Sequence, residues 1–222
     1  MENLLEVKQV NKSFGGVIAA EDVSLKVSAG MIRGLIGPNG AGKTTLLNLI
    51  SGIYNVDSGS IYLLGRDVTN APPYERARMG LGRTFQSPRF LQRSSIRDNM
   101  LMGTDLYEKT GYAKSFFKAE KENNFKKDLA ELMDIAGLKV DWEASILSLP
   151  YGQRKLLEIV RTMLSHPKVI LVDEPAAGLN GAEIDKVVAL LKYSTQKGIG
   201  VLLIEHAMDM VMNICNYVTV LN

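Results

Sequence analysis

Lys43 follows Gly42 directly and precedes Thr44 and Thr45, with Gly37 and Gly40 a short way ahead. Gly37-Pro38-Asn39-Gly40-Ala41-Gly42-Lys43-Thr44-Thr45 spells G-x-x-x-x-G-K-[ST], the phosphate-binding P-loop. The glycines allow backbone conformations that a side chain would forbid, and a close approach of main chain to phosphate. Successive N–H groups then form an anion nest at the positive end of a helix. Lys43 can reach β- and γ-phosphate oxygens, the Thr44 hydroxyl is placed to ligate Mg²⁺, and Thr45 can add a bond to a phosphate oxygen. A glycine-rich turn that binds nothing is the alternative. The flanks oppose it: Met31 to Ile36 reads as a short buried strand, and Leu46 to Ile50 opens a helix with apolar residues on one side.

Two further apolar runs end in polar groups. Val169-Ile170-Leu171-Val172 leads into Asp173-Glu174, and Val201-Leu202-Leu203-Ile204 leads into Glu205-His206. The first fits the second nucleotide motif of P-loop enzymes. Asp173 would hold Mg²⁺ through a coordinating water, and Glu174 would polarise the water that attacks the γ-phosphate. A buried acid pair can also be structural, as a helix N-cap, but beside a P-loop the catalytic role is preferred. A lone histidine is more often packed or on the surface. At the end of a core strand, however, His206 could hydrogen-bond the γ-phosphate. His166, before Pro167, reads as a loop residue with no role. Leu149-Pro150-Tyr151-Gly152-Gln153 introduces an amphipathic helix whose N-terminus could receive an anion. Phe14 is either a strand-end core aromatic or a flat ring to stack on adenine, and the residues alone leave the two even.

These residues need elements to bring them together. Residues 5 to 27 read as antiparallel strands, with Leu5, Val7 and Gln9 alternating, then Val23, Leu25 and Val27, around a Gly15-Gly16 turn. A strand follows over Ile61 to Gly65, a Pro-initiated helix begins near Pro73, and Gly80 to Gln86 reads as a strand ending in a polar residue. From about residue 87 to 165 the pattern is helical. Phe125, Leu129, Leu132, Met133 and Ala136 recur at helical spacing, Gly137 is a C-cap, and Lys118 to Lys127 is a solvated face or flexible connection. Continuous apolar runs suit a central parallel sheet covered on both faces, and ligands of such sheets bind at the strands' carboxyl ends. Gly37, Gln86, Asp173, Glu174 and His206 all fall there.

At 222 residues the chain suits one large domain or two small ones. Its 26 basic and 24 acidic side chains leave a net charge of +2, too even for a general nucleic-acid or anionic-membrane binder. Cys215 is the only cysteine, which excludes an intrachain disulfide, and its apolar neighbours point to a buried packing thiol. No run approaches the ~20 apolar residues that span a bilayer. The N-terminus lacks the basic head and apolar run of a signal peptide, so a cytosolic location is expected.

Taken in order, Gly37 to Thr45, Gln86 in Thr84-Phe85-Gln86, Leu149 to Gln153, Val169 to Glu174 and His206 resemble the nucleotide-binding subunit of ATP-binding cassette (ABC) transporters, over essentially the whole chain. The resemblance implies an α/β fold: a P-loop NTPase (RecA-like) core with an antiparallel β-subdomain and an inserted α-helical subdomain. The whole of 1–222 would be a single ABC ATPase domain, with 1–86 and 163–222 as nucleotide-binding core and β-subdomain and 87–162 as helical subdomain. It implies ATP and Mg²⁺ as cofactors, ATP hydrolysis coupled to transport, and a head-to-tail pair with a second ATP-binding subunit, the same chain or another. By the same resemblance Phe14 falls at the adenine-stacking position and Gln86 at the Mg²⁺ and γ-phosphate sensing position. Tyr151, Gly152 and Gln153 belong to the signature that faces the partner's ATP. Ala177-Gly178-Leu179-Asn180 matches the loop that couples the two sites, and Ser87 to Arg93 would contact transmembrane permease subunits, themselves served by a solute-binding protein. The chain would then sit as a peripheral protein on the inner face of the cell membrane, without nucleic acid.

The signature usually reads Leu-Ser-Gly-Gly-Gln, but Pro150 and Tyr151 stand at its second and third places, and Asn180 stands where Asp is usual. Both departures are similar to the branched-chain amino-acid importer subgroup, which makes hydrophobic amino acids the expected cargo, with urea or short amides as relatives. Members of that subgroup usually continue past a strand such as Val218 to Asn222, so an unpaired sheet edge is expected there. A soluble ABC ATPase that remodels a nucleoprotein complex usually carries two cassettes or a long inserted coiled coil, neither of which is present. A small-molecule kinase would give no reason for the Leu149 to Gln153 helix or for His206, and a non-catalytic subunit would give none for Lys43 and Glu174.

Overall fold

The computed structural model describes residues 2–104 and 115–222. They fall into two compact units. The first holds the chain up to Gln86, Pro167–Pro175 and Leu191–Asn222; the second holds Ser87–His166 and Ala176–Leu190. The second unit begins at Ser87, where the helical subdomain implied by the resemblance begins, and it runs on to His166 and takes in Ala176–Leu190.

Two sheets make the first unit. β1 (Asn3–Phe14) and β2 (Val17–Ser28) pair antiparallel across Gly15 and Gly16, whose φ values of 53° and 87° suit a tight hairpin turn. The alternation expected through Gln9 breaks. Gln9 is exposed at φ 48°, and the register shifts between Val7 and Val10, so the extra residue of a bulge lets Val10 turn inward after Leu5 and Val7. β4 (Ser58–Leu63) and β5 (Arg66–Asp67) complete a four-stranded sheet in the order β2-β1-β4-β5.

The other sheet is parallel throughout. β3 (Ile32–Ile36), β6 (Leu81–Arg83), β7 (Val169–Asp173), β8 (Gly200–Ile204) and β9 (Tyr217–Val220) lie in the order β6-β7-β8-β3-β9. Every residue of β7 and β8 is buried, as a sheet covered on both faces requires. β6 is shorter than the strand expected over Gly80 to Gln86. After Thr84 donates its N–H to the Leu171 carbonyl (2.9 Å), the chain leaves the ladder. β9 pairs with β3 as the outermost strand, with Tyr217, Val218 and Val220 exposed.

Helix α1 (Lys43–Ile50) follows β3, and α2 (Pro73–Arg78) starts at Pro73 as expected. An eight-residue helix would not persist alone. Leu46, Leu47, Leu49 and Ile50 are fully buried in one cluster with Leu5, Val7 and Leu63 of the antiparallel sheet and Leu171 and Leu202 of the parallel one. Each such side chain contributes about 1.5–3 kcal/mol on leaving water, which anchors the loop that precedes the helix.

The second unit is helical: α3 (Ile96–Leu101), α4 (Ser115–Ile135), a 3₁₀ turn (Ile146–Ser148), α5 (Tyr151–Leu164) and the start of α6 (Gly181–Gln196). Leu132, Met133 and Ala136 are buried and Gly137 closes the α4 end at φ 58°, as the spacing predicts. The stretch 118–127 is part of α4 rather than a loose connection, with Asn123, Asn124, Lys126 and Lys127 exposed; the side chains of 118–122 and all of 105–114 lie outside the described residues. Buried Asn99 fixes the segment after Gln86, accepting from Leu91 N–H (2.8 Å) and donating to the carbonyls of Leu91 (3.1 Å) and Ser95 (2.9 Å). α7 (Met208–Ile214), in the first unit, and α6 have no counterpart in the sequence expectation.

Candidate functional site

The loop from Gly37 to Gly42 joins the carboxyl end of β3 to the first turn of α1. Gly42 stands at the N-cap of α1 at φ 82°, where a Cβ would run into the Ala19 carbonyl, so no other residue fits. Pro38, Asn39, Gly40 and Thr44 are exposed, and Ala41 and Thr45 are half-buried. No acid occupies the first turn of α1, so the helix end keeps its positive field for an incoming anion. Lys43 is 6% exposed and folds back over the loop, its Nζ donating to the carbonyls of Gly37 (2.8 Å) and Pro38 (2.7 Å). The ammonium thus already lies at the mouth of the loop, on acceptors that phosphate oxygens could replace.

Beside it in the sheet, β8, β7 and β6 deliver the other polar residues at their carboxyl ends, and three of these touch. Gln86 Nε2 donates to Glu174 Oε2 (2.8 Å), and His206 Nε2 lies 3.1 Å from Glu174 Oε1. The carboxylate is gripped from both sides by groups 88 and 32 residues away in the chain. Glu174 itself adopts φ 47°, a left-handed backbone that costs a non-glycine residue on the order of 1 kcal/mol. Its N–H donates to the Ile204 carbonyl (2.9 Å), which holds this bend against the end of β8. Asp173, one residue earlier, is 3% exposed, and its N–H donates to the Thr84 hydroxyl at 3.3 Å. The alternative of an N-cap pair for Asp173 and Glu174 does not fit, because the next helix begins only at Gly181.

Two residues that sequence reasoning did not single out shape this edge. Glu205, 4% exposed, accepts from the backbone N–H groups of His206 (2.7 Å) and Ala207 (3.1 Å), which sets the turn that carries the imidazole. Thr84 ties the β6 extension to β7 through its two bonds. The signal for Glu205 was an acid closing an apolar run; nothing in the sequence distinguishes Thr84. Phe14, at the end of β1, is 43% exposed and meets Tyr54 edge-on with ring centroids 5.2 Å apart, so it presents a ring to solvent rather than to the core. His166, at φ 50°, is exposed and lies 3.5 Å from Asp128, a contact the sequence did not suggest.

The remaining candidates belong to the second unit. Pro150 is the N-cap of α5 (φ −54°, ψ 154°), and its carbonyl accepts from Arg154 N–H at 3.1 Å, so the helix starts without a side-chain cap. Tyr151, Gly152 and Gln153 supply the first turn, whose N–H groups have no intrahelical acceptor. Tyr151 lies against Gly178, where a Cβ would come within 3.3 Å of its ring. Burial first, then the charge of Glu158, push its phenol above the ordinary tyrosine range, with Arg154 opposing. The phenol therefore stays protonated at neutral pH.

A glycine loop cradling a lysine ahead of a short helix, on the carboxyl edge of a parallel sheet that also presents an acid pair, defines a P-loop nucleotide hydrolase. Comparison with known proteins narrows the class. The ABC transporter family model matches residues 20–177. The chain is 36% identical over 224 residues to the high-affinity branched-chain amino acid transport ATP-binding protein BraF of Pseudomonas aeruginosa, covering 99% of this chain and 88% of that one. It is 33% identical over 217 residues to the ribose import ATP-binding protein RbsA of Lacticaseibacillus paracasei, covering 98% of this chain and 42% of the relative. An ATP-binding cassette of an ABC transporter solved in its ADP conformation superposes with a TM-score of 0.83 at 32% identity, over 100% of this chain and 88% of the other. The chain belongs to the ABC transporter family as an ATP-binding subunit, and its activity is ATP hydrolysis coupled to transport. Membership implies partner permease subunits, and among the described residues no helix is long and apolar enough to cross a membrane.

Proposed function

We propose that this chain powers an importer for branched-chain or other hydrophobic amino acids, as one of two ATP-binding subunits docked on membrane permeases at the inner face of the cell membrane. The observation that carries the chemistry is the Glu174 carboxylate held between Gln86 and His206. Held there, it accepts a proton from the attacking water while that water adds to the γ-phosphorus, and the bond to the ADP oxygen breaks. Gln86 and His206 keep the carboxylate oriented, and as the γ-phosphate arrives, either can exchange its bond to Glu174 for one to the phosphate or the water. Lys43 leaves the carbonyls of Gly37 and Pro38 for the β- and γ-phosphate oxygens, with the N–H groups of Gly40, Ala41, Gly42, Thr44 and Thr45 around them. Phe14 offers its exposed ring to adenine.

The donors for a magnesium ion are sparse oxygens, the Thr44 hydroxyl and the Asp173 carboxylate, with the Gln86 amide oxygen behind them. That set fits Mg²⁺, which usually keeps its waters and binds through one or two carboxylates plus phosphate. When bound, the ion would neutralise charge on the β- and γ-oxygens. The Tyr151 to Gln153 turn and the Ala177 to Asn180 loop complete the site of a second subunit, so that each nucleotide is sandwiched between two chains.

Similarity to BraF, together with Pro150-Tyr151-Gly152-Gln153 in the signature, supports the amino-acid cargo. The likeness to RbsA supports a sugar as a second reading. The two separate in vesicles that carry the chain with its permeases. Leucine-loaded binding protein inside should raise ATP turnover several-fold, and stimulation by ribose or urea receptors alone would reassign the cargo.

A further inference from the structure

Asn180 and Glu183 form a reciprocal pair at the start of α6. Glu183 N–H donates to Asn180 Oδ1 (3.0 Å), and Asn180 N–H donates to Glu183 Oε2 (3.0 Å), the arrangement of a capping box with Asn at the N-cap. A capping box needs only one carboxylate oxygen. The other, Glu183 Oε1, lies over Gly152 in the first turn of α5, so close that a Cβ on Gly152 would overlap it. Gly152 is buried, and a glycine is what lets the carboxylate in. Next to it, the Tyr151 ring covers Gly178. Two segments distant in sequence, Tyr151-Gly152 and Gly178 to Asn180, are thus joined within the second unit at two points, one of them a single acid.

We propose that Glu183 is a positioning residue that fastens the Gly178–Asn180 loop to the first turn of α5, so that the two segments meet a second subunit as one piece. This rests on the sandwich reading above, in which both segments face the partner. The contact supplies pre-organisation. A helix end and a loop that are free to shift separately must each be ordered when the partner docks, whereas a pair already locked loses less freedom. The carboxylate also puts negative charge at an α5 end that has no acid of its own in its first turn and no side-chain cap. Asn180 needs no aspartate for this, since Asn and Asp serve equally well as N-caps.

The test is a double-mutant cycle on ATP-driven association, measured by sedimentation in a Glu174→Gln background that binds MgATP without consuming it. Glu183→Ala should weaken association about tenfold, in line with the loss expected when a positioned surface shifts by a fraction of an ångström, while ATP affinity of the single chain stays unchanged. Gly152→Ala, whose new methyl collides with Glu183, should also cost about tenfold. In the Glu183→Ala chain there is nothing to collide with, so adding Gly152→Ala should cost less than about threefold more. A mere cap on α6 would lower the melting temperature without coupling to Gly152. Equal cost of Gly152→Ala in both backgrounds, or undiminished association of Glu183→Ala, overturns the proposal. If Glu183→Ala fails to fold, Glu183→Asp, which retains a carboxylate but cannot reach Gly152, takes its place with the same expectations. Failure of the Glu174→Gln parent itself to associate with MgATP would instead remove the sandwich reading, a result read before any Glu183 variant is made.

Discussion

The carboxyl edge of the parallel sheet and the first turn of α5 are furnished in opposite ways. At the sheet edge, polar side chains meet one another: Glu174 takes Gln86 on one oxygen and His206 on the other, and Lys43 bends over its own loop. At the start of α5, the backbone does the presenting. Pro150 brings no donor, Gly152 no side chain, and the acid that lies over Gly152, Glu183, comes from α6. The first arrangement can move a proton and stabilise charge; the second can recognise an anion and shape a surface. Under the proposed sandwich, chemistry in one unit and a recognition surface in the other would be completed by a second copy or a relative.

Substitutions should separate the two regions by size and by kind. Lys43→Ala is expected to abolish turnover in a phosphate-release assay and to weaken nucleotide binding by the single chain, and undiminished hydrolysis would remove the P-loop assignment. Glu174→Gln should lower kcat by about 10²- to 10⁴-fold, the range for loss of a general base, with nucleotide affinity retained. A variant that turns over at the parental rate would show that Glu174 is not the base. In the second unit, Pro150→Ser should change kcat by no more than about twofold, because Pro150 sits at the N-cap of α5 and offers no side-chain bond to lose; a collapse would show that its ring is needed. Asn180→Ala should remove about 1 kcal/mol of capping, and so lower Tm by about 2–4 °C in a thermal melt. A further effect, read in labelling rather than in turnover, concerns Cys215. Burial pushes its thiol up from 9.0 to about 11, so at pH 8 its thiolate fraction, and with it the rate of alkylation, should be about a hundredfold below that of an exposed thiol. Fast labelling of the folded chain would show that the site opens.

What the sequence disclosed follows from how local each signal is. The P-loop and the acids at the end of β7 were legible because glycine backbone freedom and an apolar run ending in carboxylates are chemistry within a few neighbouring residues. The parallel sheet was legible because β7 and β8 are apolar at almost every position. The grip on Glu174 was not, since it depends on strand order β6-β7-β8, which brings Gln86 and His206 to one carboxylate. Gln9 misled because a bulge shifts the period-2 pattern by one residue and no side chain announces it. The start of α6 is in plain view as Asn180-x-x-Glu183, a capping signature, whereas the family resemblance marks Asn180 only as a departure from aspartate.

Whether nucleotide brings two incomplete halves together is tested most directly by weighing the Glu174→Gln chain and counting its nucleotide in saturating MgATP. Particles of twice the chain mass holding two ATP per pair are expected, and single chains when ADP replaces ATP. Single chains that stay single with one ATP each, at every protein concentration tried, would contradict it.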